Sequence, residues 1–141
     1  MLPLFLQGGK MDYKAIKRED ILMSREVEYP LGIVEASNLE VLLERINNFG
    51  FDYFSKSGKN LIVSSGYRPG RYNEECGGAA CSTHLVCGAV DLKDADMKLK
   101  EFILKYPTLL EKYDIFMEDP GKTSTWVHLD IKHRSRRIFK V

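Results

Sequence analysis

Two of the chain's three histidines stand at spacings from carboxylates that could hold a metal ion. His84 lies in Ser82-Thr83-His84-Leu85-Val86-Cys87-Gly88-Ala89-Val90-Asp91, and His128 lies in Trp126-Val127-His128-Leu129-Asp130. Side chains alternate between the two faces of a strand. A strand over 125–131 therefore turns Val127, Leu129 and Ile131 toward a core and sets Trp126, His128 and Asp130 on the opposite face. An aromatic ring, an imidazole and a carboxylate on one face make the floor of a cleft. Asp91 closes a strand that starts near Gly88, just after the chain leaves the His84 segment. Two imidazoles and a carboxylate suit a catalytic zinc site, which leaves its fourth position to water. Zinc brings the pKa of that water to about 7, so a nucleophile exists at neutral pH. The candidate ligands are His84, Asp91 and His128, with Zn2+ as cofactor. His133, among Lys132, Arg134 and Arg136, reads as a surface residue.

Such chemistry also needs a base. Glu118 ends a strand before the turn Asp119-Pro120-Gly121-Lys122, which folds it back beside 125–128. Asp130 competes for the role, or instead orients the His128 ring through a hydrogen bond. Cys76-x4-Cys81-x2-His84-x2-Cys87 offers a rival metal set, a closed structural zinc site. Reduced, buried thiols are the plainer reading of those cysteines.

Ser82-x-His84-x-x-x-Gly88-x-x-Asp91, preceded by Ser65-Gly66-Tyr67-Arg68 and followed by Trp126-Val127-His128, closely resembles the zinc D-Ala-D-Ala carboxypeptidase/endopeptidase family. That family includes vancomycin-resistance dipeptidases, murein endopeptidases and phage endolysins, and it shares its fold with the hedgehog signalling domain. The likeness spans roughly residues 20–141, and Met117-Glu118-Asp119-Pro120 looks most like small phage-encoded members. The resemblance implies that His84, Asp91 and His128 are the ligands. It also implies that Arg68 binds and polarises substrate, that Tyr67 contacts substrate with it, and that Ser82 hydrogen-bonds substrate. Many members carry the catalytic carboxylate three residues before the last histidine. Thr125 stands there in this chain, and Glu118 is expected in its place. The implied activity is hydrolysis of an amide bond in peptidoglycan stem peptides.

The elements that position these groups read as an α+β domain, a small antiparallel sheet packed against two or three helices. Residues 1–36, broken by Pro3, Gly8, Gly9, Pro30 and Gly32, are expected as an irregular arm with a short helix near 11–18, and 37–141 as the domain proper. Ser37-Asn38-Leu39-Glu40 has the form of a capping box. Leu39, Leu42, Leu43, Ile46 and Phe49 follow at helical spacing, with Gly50 as the stop, which predicts a helix over 38–49. Strands are expected over 61–64, 88–92, 113–118, 125–131 and 136–141. A second helix, capped by Asp94 or Asp96, carries Leu99, Phe102, Ile103 and Tyr106, and Pro107 ends it before a further turn at 108–112.

The 141 residues fit one domain, and 44% hydrophobic with 29% charged residues is ordinary globular composition. The net charge of +1 lacks the basic excess of a phosphate-binding surface, so no nucleic-acid partner is expected. The basic cluster Lys132, Arg134, Arg136 and Arg137 reads as a solvated end. No apolar run approaches the roughly 20 residues of a membrane span. The segment Met1-Leu2-Pro3-Leu4-Phe5-Leu6 is too short for a signal-peptide core. The expectation is a monomer made in the cytoplasm that reaches the wall after release or as part of a virion. A non-catalytic wall-binding module of the same fold is the main alternative function, and a structural zinc protein built on the cysteines is the other.

Overall fold

A computed structural model describes residues 12–141. The first eleven residues of the expected arm, the apolar hexapeptide among them, lie outside the described residues. Among the described residues five α-helices and five strands follow in the order α1 (Arg18–Leu22), α2 (Ile33–Ser57), β1 (Val63–Ser65), α3 (Arg71–Glu75), β2 (Ala89–Lys93), α4 (Lys98–Lys105), α5 (Thr108–Lys112), β3 (Phe116–Glu118), β4 (Trp126–Asp130) and β5 (Ile138–Phe139). A 3-10 turn, Thr83–Val86, precedes β2. The class is α+β, as expected. The strand order is β1-β2-β4-β3-β5. Four of the strands pair antiparallel, while β5 joins β3 in parallel and makes the sheet mixed. Among the described residues no helix is long and apolar enough to cross a membrane.

The long helix departs from its expected bounds at both ends. It starts at Ile33, because the Gly32 N–H donates to the Glu35 carboxylate at 3.1 Å and supplies a cap upstream of Ser37. Gly50 does not stop it. A Cβ there would lie 2.9 Å from the Tyr13 hydroxyl and 3.0 Å from Leu61 Cδ1, so this glycine lets the N-terminal segment and the chain after the helix pack close. The helix ends at Gly58 in the left-handed conformation, φ 74°, its N–H donating to Phe54 O. Of the predicted apolar face Leu39, Leu42, Ile46 and Phe49 are buried and Leu43 is half-buried against the core, and Tyr53, beyond the expected end, extends the face. The short N-terminal helix also differs from its expected place. It begins at Arg18, where the Lys17 N–H finds the Asp20 carboxylate at 2.8 Å.

Two devices fix the strands that carry the site. At one end of β1, the Tyr67 N–H donates to Ile21 O, and a Cβ on Gly66 would fall 2.4 Å from that same oxygen. Only glycine lets α1 and the β1 end approach this closely. At the far end of β2, Asp94 accepts the N–H groups of Leu99 and Lys100 at 2.9 and 3.0 Å, which caps α4. Asp96 accepts the Lys98 N–H, so both expected caps are used. The buried Lys100 ammonium bonds Asp94 at 3.2 Å and Trp126 O at 3.1 Å, tying this cap to the start of β4.

Two stability outcomes follow. Gly66→Ala drives a methyl into backbone and should cost roughly 1–3 kcal/mol in urea unfolding, with the m-value unchanged. Lys100→Met leaves the buried Asp94 charge unmatched and should cost about 3–5 kcal/mol, of which Asp94→Asn in the same chain recovers part.

Candidate metal centre

Asp91 and His128 are direct cross-strand partners on β2 and β4, in a ladder that runs from Ala89 opposite Asp130 to Lys93 opposite Trp126. Directly opposed residues hold their Cβ atoms about 4.5–5.5 Å apart, so the pairing alone brings carboxylate and imidazole into contact. The His128 Nδ1 lies 3.0 Å from Asp91 Oδ1. His84 arrives from the 3-10 turn, with its Nε2 3.2 Å from the same oxygen. Ser82 caps the turn at its start, where its hydroxyl oxygen accepts the His84 N–H, and Cys87 ends it in the left-handed conformation, φ 59°. Gly88 then starts the run into β2, its N–H donating to Thr83 O and its carbonyl accepting the Ile131 N–H.

One atom from each of His84, Asp91 and His128 lies within 4.8 Å of the other two, and among the described residues this is the group of metal-binding donors that forms. The chemistry of the donors fits zinc. Ligands about 2.0–2.1 Å from a tetrahedral zinc stand about 3.3 Å from one another, close to the separations found here. Each imidazole also has its other nitrogen committed. The His84 Nδ1 is 2.8 Å from Gly66 O, and the His128 Nε2 is 2.8 Å from Asp130 Oδ2. With those nitrogens as donors, His84 Nε2 and His128 Nδ1 are left with lone pairs that face a common point. Such outward partners fix ring orientation and tautomer in histidine metal sites. The cysteines do not take part: Cys76 and Cys81 are exposed, and Cys87 is buried with its thiol pushed up to about 12 by burial and by the nearby Glu35.

The electrostatics point the same way. Burial pushes the Asp91 carboxyl up, but hydrogen bonds and charge from His128 and His84 outweigh it and hold the group well below the usual carboxylate range. Burial pulls His128 down, yet its bonds to Asp130 and Asp91 win and raise it to about 9. Asp130 is likewise held low, despite burial, by His128 and Arg134. His128 thus lies between two carboxylates that favour its protonated form, and a metal cation bound at Nδ1 would take the place of that proton.

The residues around the donors divide into two groups. A cleft of about 500 Å3 opens over the three donors, and Arg68, Ser82, Glu118 and Trp126 line it. The Arg68 guanidinium lies 3.6 Å from Asp91 Oδ2, and its Nε is buried without a partner. The Arg68 N–H donates to His84 O, which locks the arginine loop to the metal-side turn. Asp130 is fully buried beneath His128, its Oδ2 also accepting Thr83 Oγ1 at 3.2 Å and Arg134 Nη2 at 2.9 Å. Tyr67 is not in the cleft. It is buried, and its hydroxyl donates to Tyr29 O. Tyr72 packs under Arg25 and Arg71, Asn73 holds Ala79 O, and His133 is exposed on the edge of Phe116.

Sequence reasoning missed three contributors. Arg134 is not part of a solvated basic end: it turns back onto Asp130 and stacks over Phe139 with 3.5 Å to the ring centroid. Phe139 in turn meets the His128 ring edge-on at 6.0 Å. Gly66 supplies the carbonyl for His84.

Metal affinity should rise about tenfold per pH unit below 9 and level off above it, because His128 gives up a proton on binding below its folded pKa. Zinc titrations by calorimetry in buffers of different ionisation heat measure that proton. Asp130→Asn should lower zinc affinity about 10–100-fold with the fold intact by circular dichroism.

The family model described as Peptidase M15 matches residues 16–130, a span that holds all three donors together with Arg68, Ser82, Glu118 and Asp130. No curated protein matches the chain. With most of its length matched and a donor set of the right chemistry at the floor of its cleft, the chain belongs to the Peptidase M15 family of zinc-dependent metallopeptidases.

Proposed function

We propose that this peptidase hydrolyses an amide bond in the stem peptides or cross-links of peptidoglycan. The observation that carries the reading is the convergence of His84, Asp91 and His128 at the floor of a cleft that Glu118 and Arg68 also line. Zinc held by the three donors would polarise the scissile carbonyl and lower the pKa of the attacking water.

The protein's own groups then divide the work. Phe116 pairs with Asp130 and Met117 with Leu129, a register that carries Glu118 to the level of His128 on the neighbouring strand. Met117 points into the core, so Glu118 takes the cleft side of the sheet, half-buried. Glu118 takes a proton from the water and hands it to the leaving amine, the work of a general base that becomes a general acid. Asp130, already bonded to His128, Thr83 and Arg134, serves as the orienting partner of His128 instead of the base. Arg68 presents a planar, always-charged donor set to a substrate carbonyl or carboxylate. The Ser82 hydroxyl accepts from His84 and keeps its own proton to donate to substrate. Tyr67 acts from below the cleft, as an anchor of the arginine loop. The protein works as a monomer at the cell wall, reached on release from the cytoplasm or within a virion.

Thr125 favours a second reading, a wall-binding module without hydrolysis. It occupies the position where many members of the resembled family carry their carboxylate, and its backbone O is used to accept the Asp94 N–H. Incubation of the zinc-loaded protein with purified sacculi separates the two. Hydrolysis releases new amino groups and defined muropeptide fragments by mass spectrometry, whereas the module binds sacculi and releases nothing. Under the peptidase reading, Glu118→Gln lowers turnover by about 100-fold or more with zinc content unchanged. His128→Ala loses both zinc and activity, and full activity in that variant would sink the assignment.

A further inference from the structure

A second recess of about 440 Å3 lies beside the metal cleft, and His84, Asp91 and His128 do not line it. Its lining is mainly apolar, from Leu85 and Val86 of the 3-10 turn and Ile131 just after β4. Ser82, Thr83 and Lys132 line both this recess and the cleft, so the two hollows share one wall. A peptide lying over the metal donors and crossing that wall would therefore pass from a polar space into an apolar one. Lys132 stands at the junction. It is exposed and has no ion-pair partner among the described residues, while Arg134 is committed to Asp130 and Arg68 faces Asp91.

We propose that this recess is a substrate subsite for an aliphatic side chain, with Lys132 at its mouth pairing a carboxylate of the same peptide. The inference rests on the peptidase reading above and refines it: the substrate is an extended, acidic peptide, and a bare dipeptide leaves half of the groove unused. Apolar pockets of this kind select by shape and methylene count, while a charge at the rim sets orientation and encounter.

The test compares an N-acylated D-Ala-D-Ala dipeptide with a full stem peptide. In amide spectra of 15N-labelled, zinc-loaded Glu118→Gln protein, the stem peptide should shift Leu85, Val86 and Ile131 as well as the cleft residues Arg68 and Trp126. The dipeptide should shift the cleft residues alone. In the otherwise wild-type enzyme, Val86→Asp and Lys132→Glu should each lower the ratio of kcat/KM for stem peptide over dipeptide at least about tenfold, mostly through KM. Shifts at Arg68 and Trp126 with Leu85, Val86 and Ile131 unmoved, or an equal loss on both substrates, overturns the subsite and leaves the peptidase reading standing. No shift with either peptide and no amine released by the wild type overturns both.

Discussion

The cleft is organised around a single carboxylate oxygen. Asp91 Oδ1 sits 3.0 Å from one imidazole and 3.2 Å from the other, so neither ring can move without breaking a contact to a buried charge. That geometry is set by backbone pairing before any side chain chooses a rotamer. Asp91 and His128 occupy the middle of a five-pair antiparallel ladder, and a slip of one residue would turn one of them to the core face. Register is therefore the constraint on which the chemistry rests. The apolar partners Val90, Leu92, Val127 and Leu129, all fully buried, are what hold it.

Burying two carboxylates beside two histidines is tolerable only because each charge is matched. An unpaired ion inside a protein costs several kcal/mol, and a paired one is kept by hydrogen bonds to its remaining lone pairs. Here Asp91 has His84 and His128 on one oxygen and Arg68 on the other. Asp130 has His128, Thr83 and Arg134. The raised pKa of His128 follows from its place between these two anions. The same arrangement accepts a divalent cation in exchange for protons, which is why one set of contacts accounts for both the titration behaviour and the metal chemistry.

The sequence was legible where a period or a cross-strand pattern repeats. The buried stripe of the long helix and the alternation along β4 could be read from residue spacing, since burial of one face imposes that spacing, whereas the three donors were candidates by residue type and were singled out by the resembled motifs. The misreadings were local signals overruled by tertiary contacts. Ser37 looks like a cap, but Gly32 and Glu35 cap the helix earlier; Gly50 looks like a stop, but Tyr13 and Leu61 pack against its bare Cα. Arg134 looks like solvated charge because nothing in a one-dimensional pattern says that residues 131–139 fold back over His128. The parallel pairing of β5 with β3 was hidden for the same reason: a two-residue strand has no period to detect.

The fold-back after β4 extends the cleft past the matched motif. The family match ends at residue 130, yet Lys132, Arg134 and Phe139 line the cleft. Arg134 lies between Asp130 and the Phe139 ring, and Phe139 lies against His128, so this segment supports the metal side of the cleft while Lys132 faces its other wall. Phe139 is held in place because β5 pairs with β3, where Glu118 is its direct partner. The strand that carries the proposed base and the strand that backs the metal ligand are thus joined edge to edge. The shared motif supplies the donors, while beyond it Arg134 and Phe139 brace the metal side of the cleft and Lys132, with no tie to Asp130 or His128 among the described residues, lines the cleft without bracing the metal.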